Sequence, residues 1–289
     1  MTSSLLNKLA EAALPQLEDY MWQQLDAAHD AHLARAMRYS LAAGGKRLRP
    51  LLLMATATGL GAELATTIPA AAAVEFIHTY SLIHDDLPAM DDAQTRRGQA
   101  ANHIRFGEAT AILAGDALLT DAFSLVSASP VTPPRQNELV RILATGAGSF
   151  GMVAGQQMDL DGSNQRLTAG QLDNLNAHKT GALIRAAVDM GAVIGDADTA
   201  TRAALQDFAA AFGLGFQLLD DIEDVTMSAG ELGKPAHQDD ANGKNTYVAL
   251  LGLPGARAAL HKQADAAECA LARANMETDV LRAIAQYLE

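Results

Sequence analysis

Two stretches decide the fold of this chain: Val74-Glu-Phe-Ile-His-Thr-Tyr-Ser-Leu-Ile-His84-Asp85-Asp86-Leu-Pro-Ala-Met-Asp91 and Phe208-Ala-Ala-Ala-Phe-Gly-Leu-Gly-Phe-Gln-Leu-Leu219-Asp220-Asp221-Ile-Glu-Asp224. Each reads as an apolar helix heading into a protein interior and ending in packed aspartates. An ionised carboxylate taken out of water without a partner would sooner shift its pKa and become neutral, so these clusters imply a metal, basic groups or water beside them. Neither reads as a surface acidic tail.

In the second cluster Asp220 and Asp224 lie one helical turn apart, with Asp221 rotated about 100° from Asp220, so two carboxylates can chelate together. In the first, Pro88 lacks an N–H and would clash with the carbonyl of His84, so Asp91 follows a kink or a helix end. Ligands that are all oxygen favour a hard cation. Mg2+ keeps several waters and borrows one or two carboxylates plus phosphate oxygens, which makes Mg2+ with a diphosphate the best fit. Neither cluster has the loop spacing of an EF-hand, which weakens a calcium reading. One such cluster alone is as readily a solvated helix end; two in apolar surroundings are much less so.

The 289 residues are 49% hydrophobic but only 4% aromatic, and alanine dominates many segments, which suits close-packed helices rather than a sheet. An all-α protein follows, organised as a single domain over 1–289 because no boundary, linker or solenoid repeat divides the chain. A net charge of −13 argues against a nucleic-acid partner. The single Cys269 excludes an intrachain disulfide and a multi-cysteine zinc site, and fits a cytoplasmic location. The longest uncharged run, Ile142 to Met158, carries Gly146, Gly148, Gly151, Gly155, Gln156 and Gln157, too polar for a membrane span.

Periodicity predicts helices over 17–42, 51–60, 69–87, 108–127, 135–159, 169–194, 199–223 and 256–288, with an amphipathic start at the N-terminus. Between the first two, Gly44-Gly45-Lys46-Arg47-Leu48-Arg49-Pro50 is a glycine turn leading through basic residues to a helix start, a natural anion site. Of the 21 basic residues, five fall in this turn and in Arg96-Arg97, so the local sign can be positive where the global sign is negative. The polar stretch Thr226 to Asn245 directly follows the second cluster and reads as a loop able to carry Lys234 and Lys244 to a phosphate.

Both aspartate clusters, the Gly44 to Pro50 turn, Arg96-Arg97-Gly98, Lys179-Thr180 and Gly243-Lys244 together make the chain similar to the trans-isoprenyl diphosphate synthases, and within them to bacterial farnesyl diphosphate synthases, from about residue 38 to the end. The resemblance implies about ten antiparallel helices around a deep cavity, a homodimer, and three Mg2+ ions. It implies that Asp85, Asp86, Asp91, Asp220, Asp221 and Asp224 hold the metals. It assigns Lys46, Arg49, His78 and Arg97 to isopentenyl diphosphate, and Arg96, Lys179, Thr180, Gln217, Lys234 and Lys244 to the allylic diphosphate. Gln156 and Asp159 match a supporting motif. Glu223 departs from the family pattern, in which an apolar residue is usual, and is expected to point to solvent.

The chemistry implied is ionisation of the allylic diphosphate, attack by the isopentenyl double bond, and loss of a proton. No side-chain nucleophile is required; the work is electrostatic stabilisation and positioning, with Lys179, Thr180 and Gln217 beside the reacting centre. By the same resemblance Tyr80 and Ser81, just before Asp85, form the tunnel floor that sets product length. Rival readings are a geranylgeranyl diphosphate synthase, a terpene cyclase, disfavoured by the Lys46, Arg49, His78 and Arg97 set, and a non-catalytic partner subunit, disfavoured by the presence of both clusters.

Overall fold

A computed structural model describes residues 2–163, 165–227 and 245–288. The expected sites Lys234 and Lys244 lie outside the described residues. The chain is all-α: α1 (Thr2–Asp26), α2 (Ala31–Ala42), α3 (Leu48–Gly59), α4 (Leu64–Asp85), α5 (Asn102–Phe106), α6 (Glu108–Ser127), α7 (Pro133–Ala147), α8 (Met152–Gly162), α9 (Ala169–Lys179), α10 (Gly181–Ile194), α11 (Thr199–Thr226), α12 (Tyr247–Leu271) and α13 (Asp279–Ala285).

Several long predicted helices are broken, each for a local reason. The 17–42 segment splits because Asp30 caps α2, its carboxylate accepting from the N–H groups of His32 and Leu33 at 2.8 Å. The 135–159 segment splits at Gly148 to Gly151, where a Cβ on Gly151 would collide with the carbonyl of Gly146. The 169–194 segment splits at Thr180, which closes α9 and opens α10. The 256–288 segment breaks before α13, and its first part starts earlier than expected, at Tyr247, with a kink at Gly252 (φ 69°). In the other direction, α4 begins before Pro69, which sits inside the helix.

Helices α4 and α10 are apolar on nearly every side, and a helix of that kind belongs in the interior. They run through a core in which Phe76, Ile77, Leu183 and Met190 are fully buried, while Phe208 and Phe212 of α11 anchor a second apolar cluster with α12 and α13. Among the described residues one helix, α6, is long and apolar enough to cross a membrane. It packs on α4, and its contact is close because Gly115 leaves room for the His84 ring.

The only strands among the described residues are Thr95–Arg96 and Gln99–Ala100, paired antiparallel. Arg97 (φ 52°) and Gly98 (φ 76°) form the connecting turn, both left-handed as a two-residue type I′ turn requires. This hairpin projects two arginines beside the end of α4.

Candidate active site

A cavity of about 890 Å3 opens between the start of α3, the second half of α4, α8, the α9–α10 junction and the last turns of α11. Its rim is ionic and its wall partly apolar, with Leu82, Met152, Leu160 and Phe216 among the lining residues.

The two aspartate clusters meet across this cavity, but their members divide. Asp85 and Asp220 line it. As Pro88 demands, α4 ends at Asp85 and the chain turns back, with the Asp91 N–H donating to the Asp85 carbonyl at 2.9 Å, which leaves Asp91 exposed near the helix end. Asp86 and Asp221 are 2% and 3% exposed and engaged by protein partners. Arg96 grips Asp86 through Nε at 3.0 Å and Nη2 at 2.5 Å. Asp221 accepts from Gln217 Nε2 at 2.8 Å and from the Tyr247 N–H at 2.7 Å. Asp224 is also buried, and neither of its oxygens has a hydrogen-bond partner among the described residues. Burial, partly offset by Lys179 and reinforced by Asp91, pushes the Asp85 carboxyl up to about 6.

The opposite rim is basic. Arg47 opens α3 in a left-handed conformation (φ 46°) that a side chain of its size rarely adopts. It is held by Glu75 Oε1, 2.6 Å from its Nη1, and by the Leu41 carbonyl, 2.6 Å from its Nη2. Arg49 lies 3.5 Å from His78, and the Arg97 guanidinium donates to the Gly44 carbonyl. Gly45 (φ 126°) has to be glycine, because a Cβ there would run into that guanidinium. Burial first, then Arg97, lowers Arg49 to about 10 even though Glu75 opposes them. Burial and the neighbouring arginines hold His78 well below its usual range, so its ring is neutral. Three guanidiniums around the buried Glu75, with the half-buried Glu18 3.8 Å from Arg47 besides, leave a local excess of positive charge that suits an anion. Lys46 stands further out, its ammonium 5.2 Å from the Tyr287 ring centre.

Between the rims, the Thr180 hydroxyl donates to Gln217 Oε1 at 2.9 Å, and Lys179 is paired with Asp159. The pairing depends on close packing of α8 on α9, since Gly155 faces the backbone of Lys179 with no room for a methyl group. Gly155→Ala is therefore expected to cost about 1–3 kcal/mol and to displace Lys179; a thermal melt checks this, and an unchanged Tm would show that the helices simply separate.

Tyr80 and Ser81 line the cavity further along α4. The Tyr80 ring is 6% exposed and meets His84 edge to face at 5.8 Å, while the Ser81 hydroxyl is turned back to the His78 carbonyl at 2.9 Å. Among the described residues the structure thus brings Lys46, Arg49, His78, Arg96, Arg97, Lys179, Thr180 and Gln217 to one cavity with Asp85 and Asp220. Glu223 departs from expectation, lining the cavity rather than facing away. Sequence reasoning missed Arg47 and Glu75 as a buried pair. Glu75 carried a signal, being an acid inside an apolar helix three residues before His78.

Apolar walls below a rim of carboxylates and guanidiniums form a pocket for a molecule with an anionic head and a hydrocarbon tail, placed inside an all-α bundle. The chain belongs to the polyprenyl synthetase family, whose pattern matches residues 30–288. It is 45% identical over 286 residues to the farnesyl diphosphate synthase of Geobacillus stearothermophilus, covering 98% of this chain and 95% of that one. It is 46% identical to geranylgeranyl pyrophosphate synthase 11, chloroplastic, of Arabidopsis thaliana, over 89% of this chain and 74% of that protein. The fold superposes on the geranyltransferase of Helicobacter pylori complexed with magnesium and isoprenyl diphosphate, with a TM-score of 0.84, 34% identity and 94% and 95% of the two chains covered.

Proposed function

We propose that this chain is a metal-dependent prenyltransferase that condenses isopentenyl diphosphate with dimethylallyl or geranyl diphosphate to give farnesyl diphosphate. The observation that carries the reading is the cavity itself, in which Asp85 and Asp220 face a cluster of the buried Arg47 and the half-buried Arg49 and Arg97. The two rims offer separate sites for two diphosphates. The kinship with farnesyl diphosphate synthases supports the C15 product. Purified protein supplied with Mg2+, isopentenyl diphosphate and geranyl diphosphate should release a C15 diphosphate; no product from either allylic starter would overturn the reading.

The donor set fits Mg2+. Its ligands are all oxygen, and Mg2+ completes its shell with waters and phosphate oxygens around one or two carboxylates. Asp224, a buried carboxylate one turn beyond Asp220 with no hydrogen-bond partner among the described residues, fits a nearby cation. Asp85, Asp220 and the exposed Asp91 are the residues that would hold the metal, with three ions as the number the family resemblance implies. When bound, the metal supplies Lewis-acid stabilisation to the departing diphosphate.

The chain's own groups do the rest. Arg49, Arg97, Lys46 and the neutral His78 bind and orient isopentenyl diphosphate. Lys179 and Arg96 meet the allylic diphosphate, Arg96 held in place by Asp86. The oxygens of Thr180 and Gln217 face the developing allylic cation with lone pairs. Burial and then Asp85 push the Tyr80 phenol up to about 12, so its ring stands uncharged as an apolar stop. Tyr80→Ala is expected to shift the main product from C15 towards C20 or longer without abolishing condensation; chromatography of the dephosphorylated products reads it, and an unchanged C15 profile would remove Tyr80 from the floor. The unit is proposed to be the whole chain as one domain, working in the cytoplasm as a homodimer through the outer face of α6, where Ile112 and Leu113 are exposed.

A further inference from the structure

The second aspartate of the α11 cluster is tied into a hydrogen-bonded relay. Asp221 Oδ1 accepts from Gln217 Nε2 at 2.8 Å, and the Gln217 oxygen in turn accepts from the Thr180 hydroxyl at 2.9 Å. Asp221 Oδ2 accepts from the Tyr247 N–H at 2.7 Å, at the first residue of α12. The Tyr247 hydroxyl continues to Asp173 of α9 at 2.8 Å. The carboxylate is 3% exposed, whereas Asp220, one residue earlier, lines the cavity.

We infer that Asp221 is a positioning residue rather than a metal ligand: it sets the orientation of the Gln217 amide and is itself held in place by the N–H of Tyr247 at the start of α12. An ionised carboxylate only accepts hydrogen bonds, so it fixes which end of the amide faces it. The Gln217 N–H group is drawn to Asp221, and the carbonyl oxygen is left for Thr180 and the cavity. With an asparagine at 221 the amide nitrogen can donate, and the Gln217 side chain is free to turn its N–H group towards the substrate. A lone pair facing the developing cation is then replaced by a donor. The inference rests on the prenyltransferase reading for the identity of that cation; the relay itself stands on the distances above.

The test compares wild type, Asp220→Asn, Asp221→Asn, Gln217→Leu and the Gln217→Leu/Asp221→Asn double variant, measuring kcat and the Mg2+ concentration for half-maximal rate. The expected result is that Asp221→Asn lowers kcat about 10–100-fold while its Mg2+ requirement stays within about twofold of wild type, in contrast to Asp220→Asn. The double variant should be no slower than Gln217→Leu alone, because a residue acting through another has no separate effect once that other is gone. A tenfold rise in the Mg2+ requirement of Asp221→Asn, or effects that multiply in the double variant, would overturn the inference. A measurement on wild type does not depend on any variant folding: amide exchange of the peptide containing Tyr247, with and without Mg2+ and inorganic diphosphate. Retained protection supports a fixed Asp221, and faster exchange on adding Mg2+ and diphosphate would mean that Asp221 leaves Tyr247 for the metal. An inactive wild type would instead sink the prenyltransferase reading while leaving the exchange result to judge the relay.

Discussion

Asp85→Asn is expected to lower kcat by about 10²–10³-fold or more and, at the same time, to make the metal-free protein more stable at pH 8. The first effect follows from removing a carboxylate at the rim proposed to hold the metal. The second follows from the direction of its pKa. Burial is the main cause that pushes the Asp85 carboxyl up to about 6, above the value it has in an unfolded chain. The folded state therefore binds this proton more tightly than the unfolded state does. Its contribution to stability is present in full below about pH 4 and is lost as pH rises through about 6. At pH 8 the ionised group is a burden of about 1–3 kcal/mol in the absence of metal, and asparagine removes it. Calorimetry in chelator should give a higher Tm for Asp85→Asn at pH 8 and nearly equal values at pH 4. Adding Mg2+ and diphosphate should reverse the order at pH 8, because only wild type is fully stabilised by that binding. A variant no more stable than wild type at pH 8 would mean that solvent or a neighbouring cation already neutralises Asp85 in the free protein.

The second large effect concerns Glu75. Its side chain is 2% exposed and takes a charge-assisted hydrogen bond from Arg47, which is 5% exposed. Replacing Glu75 by alanine strands the Arg47 guanidinium in the interior and removes the one carboxylate that offsets Arg49 and Arg97. Breaking a buried pair from one side typically costs about 3–5 kcal/mol, on the order of 10 °C in Tm for a chain of this size. Inorganic diphosphate should restore part of the loss, since an anion at the same rim replaces the missing charge. The double replacement Arg47→Met/Glu75→Leu should be less destabilising than Glu75→Ala, because the Arg47 guanidinium is no longer left in the interior without its carboxylate. If Glu75→Ala melts within a degree or two of wild type, the pair is not a structural anchor and the basic rim is held by its backbone contacts alone.

Much of the fold was legible in residue spacing. An apolar, alanine-rich chain with few aromatics has little choice but to pack helices, and the ends of α4 and α11 were marked by residues whose physics is local: Pro88 stops a helix wherever it falls, and Asp220 shares a helix face with the residues one turn away. The breaks at Asp30, Gly151 and Thr180 were not legible. A helical period continues through each of them, and the breaks coincide with contacts that spacing does not show: the Asp30 side chain capping α2, the backbone packed against Gly151, and the Thr180 hydroxyl bonded to Gln217. The site divides in the same way. That aspartates and arginines gather at one cavity could be read from two acidic clusters and two basic ones.

What the sequence determined by itself is the kind of chemistry, because carboxylates at the ends of apolar helices and guanidiniums at a glycine turn carry their electrostatic demands wherever the chain folds. Which member of each pair reaches the cavity was decided only by tertiary structure. Asp85 and Asp86 are neighbours in sequence, as are Asp220 and Asp221, yet a rotation of about 100° per residue sends one carboxylate to the cavity and the next into the protein. There Asp86 meets Arg96 from the hairpin, and Asp221 meets Tyr247 at the start of α12. Glu75 and Arg47 likewise acquire their roles only when α3 and α4 pack, since a buried charge is tolerable solely beside a partner brought from elsewhere in the chain.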